Sequence, residues 1–324
     1  MPGVPHPIPY QGSKRRLAPA ILAFVPQGTR RLIEPCGGSA ALSLAALASG
    51  RVERVLIGDV LAPLVELWRA IAARPEAVAR AYEALWRAGA RAPVATYAAA
   101  RARFNRSGDP TSLLYVLARC VKAAVRFNAR GEFNQSADRR RLGARPPRMK
   151  REIAAASALL SGRASFHAGD LAALCARARP SDVVYLDPPY EGTSGGRDRR
   201  YAAGLNRERL VDVLARLRAR RVPVLISLDG RRGEKRFGTA LPAELGLLRF
   251  ELEAGTSSQS TLLGRRERTV ESLYVSPELA AAAALGGAAA RMPMRNGTSA
   301  SPVAVAATMN GAPGKWIGAP GREK

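Results

Sequence analysis

Histidine and cysteine are nearly absent from this chain, with two histidines, His6 and His167, and three cysteines, Cys36, Cys120 and Cys175, in 324 residues. The cysteines are far apart and odd in number, and neither histidine stands at metal-ligand spacing from them. Neither a disulfide framework nor a zinc site is supported, and no metal is expected. Long apolar runs are missing too: none reaches the roughly 20 residues that cross a bilayer. The opening MPGVPHPIPY has none of the charged, apolar and small-residue zones of a secretion signal. The expectation is a protein of the reducing cytoplasm with no membrane partner. No Gly-x-Gly-x-x-Gly follows the first strand candidate, which argues against a nicotinamide site. Acidic residues are scarce as well, 26 against 51 Lys and Arg, for a net charge of +25. The natural partner of such an excess is a phosphate polyanion, because neutralised phosphates release their counterions. An arginine-rich composition supplies part of the same excess without any partner.

What is present is an alternation. Short β-rich runs at 31–34, 54–59, 183–187, 222–227, 247–251 and 269–275 are separated by helical patterns at 16–24, 40–48, 61–72 and 207–220. Strand and helix in turn predict an α/β fold with a doubly wound, mostly parallel sheet. The last two strands follow one another without a helix, so an antiparallel hairpin closes one edge. From 75 to 149 the alternation stops. Helical patterns at 76–88, 94–104 and 112–125 run into an irregular basic stretch, predicting a helical insertion that divides the α/β domain into 1–74 and 150–278. After 278 the chain turns Ala-, Gly- and Pro-rich. Disorder is expected there, apart from a helical extension through Leu285, and truncation after Pro277 is expected to leave activity intact.

Two constellations carry chemistry. Glu34-Pro35-Cys36-Gly37-Gly38-Ser39 ends a strand and opens a helix of small residues. Its two glycines let a ligand approach the backbone, and the helix start offers unpaired N–H groups. Asp59 ends the next strand, where doubly wound folds place an acid on a ribose hydroxyl. Alone, this pattern fits any nucleotide site and equally a close-packed turn. Asp187-Pro188-Pro189-Tyr190 is more specific, because it directly follows the buried-type run Val183-Val184-Tyr185-Leu186. The prolines stiffen the loop, so the Asp187 carboxylate and the Pro188 carbonyl converge as two acceptors. Two acceptors on one planar amino group draw its nitrogen toward tetrahedral geometry and free the lone pair for attack. Tyr190 supplies a face on which an extruded base can stack.

Taken in order, Tyr10-Gln11-Gly12-Ser13-Lys14, the Glu34 turn, Asp59 and Asp187-Pro188-Pro189-Tyr190 resemble the signature of Dam-like DNA adenine methyltransferases of the D12 class. The similarity continues through Arg126-Phe127-Asn128-Ala129-Arg130-Gly131-Glu132-Phe133-Asn134, Val224-Leu225-Ile226-Ser227 and Thr269-Val270-Glu271-Ser272-Leu273. The resemblance implies methyl transfer from S-adenosylmethionine to the exocyclic N6 of a flipped-out adenine in a specific double-stranded DNA sequence. It implies cofactor contacts at Tyr10, Lys14, Glu34, Pro35, Cys36, Gly37, Gly38, Asp59 and Asp187, with Asp187, Pro188, Pro189 and Tyr190 catalytic. Asp170 matches an acid that reads the cofactor's adenine, although a Gly-Asp pair before a helix is also an ordinary N-cap. The same scaffold serves cytosine N4, RNA or protein glutamine as acceptor, or an inactive DNA-binding relative. An intact Asp187 and both prolines argue against decay.

The chain departs from the family at Cys36 and Ala40, where phenylalanine and glycine are usual, at Gln135-Ser136 after the Phe-Asn pair, and at Leu228-Asp229-Gly230. Between 126 and 148, seven arginines stand against Glu132 and Asp138, a local net of +5. Arg126, Arg130, Arg139, Arg140 and Arg141 are the expected phosphate or guanine contacts, with Asn128 and Asn134 facing adenine edges. The segment 257–268 is expected to contact phosphates, and the Gly- and Arg-rich 191–204 is expected to be mobile until DNA orders it. Trp68, Tyr82 and Trp86 are read as packing residues, His167 as a strand-end residue and Cys36 as a space-filler beside the cofactor. A cognate restriction endonuclease, a monomeric or weakly dimeric state, and association with the nucleoid complete the expectation.

Overall fold

The computed structural model describes residues 3–188, 206–232, 235–256 and 268–285. Five parallel strands form its centre: β1 (Thr29–Glu34), β2 (Val52–Asp59), β3 (Ala164–Ala168), β4 (Asp182–Leu186) and β5 (Val224–Arg232). β6 (Lys235–Phe237) pairs with the far end of β5, and β7 (Leu248–Thr256) and β8 (Arg268–Val275) complete the sheet. The order is β3-β2-β1-β4-β5-β8-β7, with β8 antiparallel to both neighbours. This is the doubly wound sheet with an antiparallel hairpin expected from the sequence. β6 was not expected from the sequence, and of β3 only its end at His167 was. β3 is a half-exposed edge strand, Ala-Ser-Phe-His-Ala, with no apolar alternation to mark it.

Both faces of the central strands are covered, which explains their unbroken apolar runs. Successive residues enter opposite cores: Leu32, Val183, Tyr185 and Leu225 on one side, Ile33, Val184, Leu186 and Ile226 on the other. The first face is covered by α1 (Ala18–Leu22), α2 (Ala41–Ala48) and α3 (Ala62–Ala73). The second is covered by α8 (Leu171–Ala176) and α9 (Arg207–Ala219).

Three prolines at first helical positions cut the insertion into α4 (Pro75–Arg91), α5 (Pro93–Ser107) and α6 (Pro110–Arg119). Every residue from Ser112 to Arg119 of α6 is buried, so α6 is the hub on which α4 and α5 pack. The insertion shares one core with α3 and with α7 (Pro146–Leu160). The expected domain border at 149/150 therefore falls inside a helix. Met149, Ile153, Ala156 and Leu160 form the buried stripe of α7, but the basic residues around its first turn disguise that periodicity. The helix expected over 112–125 stops at Arg119, where Lys122 (φ 59°) and Ala123 (φ 51°) turn the chain through left-handed backbone.

At the other end, α10 (Pro277–Leu285) buries Leu279, Ala280 and Ala283, and its Glu278 pairs with Arg218 of α9 at 2.7 Å. The folded body thus runs past the expected border at 278; residues 286–324 lie outside the described part. Truncation after Pro277 removes this helix, contrary to the expectation that it is harmless. Losing one buried leucine and two alanines is expected to cost roughly 2–4 kcal/mol. Urea melts of the shortened and full chains check this, and an unchanged midpoint would contradict it.

Candidate active site

The strand order reverses between β1 and β4, and ligands of doubly wound sheets bind outside the carboxyl ends at such a point. Parallel register brings Glu34, Asp59 and Asp187 to that one edge: Glu34 lies opposite Ile57 of β2, and Ile33 opposite Val184 of β4.

The turn after β1 is tightly built. The Gly37 N–H donates to the Gly58 carbonyl at 2.6 Å, and a Cβ at Gly37 would come within 2.8 Å of that same oxygen. Gly38 has φ +47°, and a Cβ there would press on the Tyr10 ring at 3.1 Å. Trp68 supports the turn from below, its indole N–H donating to the Gly38 carbonyl at 3.0 Å. Its aromatic character marked it only as a packing residue; this support for the turn was not legible. Ala40 takes φ 49° at the N-cap of α2, a left-handed position that suits glycine better.

Glu34 lies beneath the turn. Its carboxylate is buried and accepts the Ser43 N–H at 3.0 Å together with the Ser43 hydroxyl, so it caps α2. Burial raises its pKa from 4.5 to about 7, against the hydrogen bonds from Ser43. With a folded-state pKa above the unfolded value, its favourable contribution is complete below pH 4.5 and lost as pH rises through about 7. Glu34→Gln cannot ionise, so the variant is expected to gain stability over wild type across that window. The gap should reach roughly 2–3 kcal/mol at pH 8, read from urea melts at several pH values. A difference independent of pH would contradict the assignment.

Asp59 is also buried. Its two oxygens accept the Gly38 N–H at 3.0 Å and the Leu61 N–H at 2.9 Å. Burial raises its pKa, and these main-chain donors oppose the rise. The acid at the end of β2 and the glycine turn after β1 are thereby locked together. Pro35 is buried with them, and Cys36 sits against Asp187, its thiol pushed well up by burial.

Lys14 joins the amino-terminal motif to the loop after β4. Its ammonium lies 2.8 Å from Asp187 Oδ1, 3.4 Å from Glu271 Oε2 and 3.3 Å from the Gly12 carbonyl. Burial alone would lower the Lys14 pKa, but the carboxylates of Asp187 and Glu271 outweigh it and hold the side chain protonated. Burial lifts the Asp187 carboxyl to about 6; Lys14 pulls it down and Glu271 pushes it up. Pro188 is buried, whereas Pro189, Tyr190 and the segment 191–204 lie outside the described residues. The sequence alone gives Glu271 no role, because the Lys14 and Asp187 it meets lie 257 and 84 residues away in the chain and only the sheet order brings them to β8.

Asp170 is the N-cap residue of α8 but makes no side-chain capping bond. It pairs instead with Arg209 of α9 at 2.5 Å, on an exposed surface.

The segment 126–134 folds as a tight hairpin, with Phe127 bridged to Phe133. Asn128 shapes its tip: its side-chain oxygen accepts the N–H groups of Arg130 and Glu132, and its amide nitrogen donates to Glu132. That use of the amide argues against the adenine contact expected of Asn128. Asn105 of α5 grips the main chain of Phe133 on both sides, and Phe104 and Phe127 meet the Phe133 ring edge-on. Arg130, Asn134, Arg139 and Arg140 are exposed, and Arg126 and Arg141 are half-buried. Gln135, one of the departures, is buried, and its amide donates to the Val121 carbonyl at 3.2 Å. It fastens the hairpin base rather than facing outward. Of the segment 257–268, residues 257–267 lie outside the described residues. Among the described residues no group of His, Cys, Asp and Glu could hold a metal ion, and no helix is long and apolar enough to cross a membrane.

Residues 10–245 match the model of the family described as D12 class N6 adenine-specific DNA methyltransferase. Among curated proteins the chain is similar to a DNA N-6-adenine-methyltransferase of Escherichia phage P1, 26% identical over 234 residues. That match covers 68% of this chain and 29% of the phage protein. The chain is also similar to the Retron Ec67 DNA adenine methylase of Escherichia coli, 28% identical over 193 residues, covering 58% of this chain and 64% of the retron protein. It thus spans less than two thirds of the length of these relatives. The family match covers the glycine turn, Asp59, the hairpin and Asp187 alike, and on that ground the chain belongs to the D12 class N6 adenine-specific DNA methyltransferase family.

Proposed function

We propose that this protein transfers a methyl group from S-adenosylmethionine to the N6 amino group of adenine in double-stranded DNA. The observation that carries the reading is the convergence of Lys14, Gly38, Asp59 and Asp187 at the switch point of the sheet. The site's residues fit the donor: the turn is glycine at Gly37, where a Cβ has no room, and at Gly38, which takes φ +47°; a buried acid closes β2, and Tyr10 lies against the turn. When bound, the donor supplies an electrophilic methyl group on a positively charged sulfur.

The chain's own residues hold the acceptor. Asp187, ionised above about pH 6, accepts from the amino group, and the Pro188 carbonyl is its second acceptor. Tyr190 stacks the extruded base. Helices α4–α6 serve as a platform for the hairpin, whose exposed Arg130, with Arg139 and Arg140 nearby, meets the DNA. Incubating the protein with methyl-labelled donor and duplex DNA, then digesting to nucleosides, tests the reading. Label in N6-methyladenine supports it; label in cytosine, in RNA alone, or nowhere refutes it.

A further inference from the structure

Glu271 brings a second carboxylate to Lys14, a role that the stretch Thr269-Val270-Glu271-Ser272-Leu273 does not reveal in the sequence. It lies on β8, opposite Gly230 of β5 and Leu252 of β7, so strands on both sides fix its backbone. The ammonium it shares with Asp187 is 2.8 Å from Asp187 but 3.4 Å from Glu271 Oε2. That oxygen is buried and makes no aligned hydrogen bond among the described residues. The three side chains are only 9%, 20% and 21% exposed for Lys14, Asp187 and Glu271. Among the described residues, two carboxylates against one ammonium leave this cluster with a net charge of −1, in a chain whose overall balance is +25. Of the two carboxylates, Glu271 is the less well compensated.

We propose that Glu271 is an electrostatic selectivity residue, which makes the site prefer the positively charged methyl donor over the neutral thioether left after transfer. This rests on the methyl-donor reading above. The two ligands share their shape and most polar groups and differ in the charge on sulfur. A fixed, poorly hydrated negative charge acts through a lower effective dielectric than water and favours the cation alone. The same preference speeds release of the spent ligand, because transfer of the methyl removes the charge that held it. Glu271 acts through space and through Lys14, without touching the reacting atoms.

Glu271→Gln keeps the size and an oxygen acceptor for Lys14 and removes the charge. Calorimetry with S-adenosylmethionine and S-adenosylhomocysteine is expected to show donor affinity falling about tenfold while product affinity stays within about twofold. Equal weakening of both, or an unchanged ratio, overturns the proposal. If the Gln variant does not fold, Glu271→Asp draws the charge back by one methylene and is expected to weaken the donor selectively by about threefold; parallel changes in both ligands overturn the proposal there too. A wild-type protein that binds neither ligand refutes the methyl-donor reading instead, which keeps the two failures apart.

Discussion

Replacing Asp187 by Asn is expected to cut methyl transfer by about three orders of magnitude while leaving the fold in place. The loss follows from the chemistry of the acceptor. An exocyclic amino group delocalises its lone pair into the ring, and an anionic acceptor on its hydrogens reverses that. A carboxamide is a weaker acceptor and also presents N–H groups toward the amine. The fold survives because Lys14 still has Glu271 at 3.4 Å and the Gly12 carbonyl at 3.3 Å. Neither β1 nor β5 takes its pairing from the Asp187 side chain. Labelled-methyl incorporation alongside a thermal melt makes the comparison, and retention of more than about a tenth of wild-type turnover would contradict the role.

The second large effect is a displaced pH profile. Wild-type kcat/KM is expected to fall as pH drops through about 6, where Asp187 takes up a proton and ceases to be an anionic acceptor. Lys14 opposes the burial that raises this pKa. Lys14→Gln removes that opposition, so the acid limb should move to higher pH by on the order of one unit or more. Activity at pH 7 then drops about twofold for a shift of one unit and about tenfold for a shift of two, and recovers at pH 9. A merely structural lysine would lower activity equally at all pH values. Parallel profiles for the two proteins would thus sink the assignment.

Much of this was legible in the sequence, for physical reasons that differ from element to element. β4 announced itself because both faces are covered, which requires an unbroken apolar run, and the two prolines then marked its end. The glycine turn was legible because Gly37 stands where a Cβ has no room and Gly38 takes a left-handed φ of +47°. Register then brought Asp59 to the same edge. Other features left no local trace. Glu34 carries the same letter whether it faces a ligand or caps α2, and only the Ser43 contacts distinguish the two. Asn128 fitted base recognition by type, while its position two residues before Arg130 and four before Glu132 serves the turn. α7 was obscured because its buried stripe begins among Arg145, Arg148, Lys150 and Arg151. The Lys14, Asp187 and Glu271 cluster draws on three distant parts of the chain and needed the sheet order to appear.

The resting arrangement has a direct bearing on catalysis. Asp187 already holds a cation, Lys14, on one oxygen. The acceptor role requires that the carboxylate also reach the amino group of an extruded base. A crystal structure with a target-site duplex and a non-transferable donor analogue tests this most directly. The expected result is an adenine out of the stack with its N6 within hydrogen-bond distance of Asp187. An adenine placed elsewhere, with Asp187 bonded to Lys14 alone, would contradict the account.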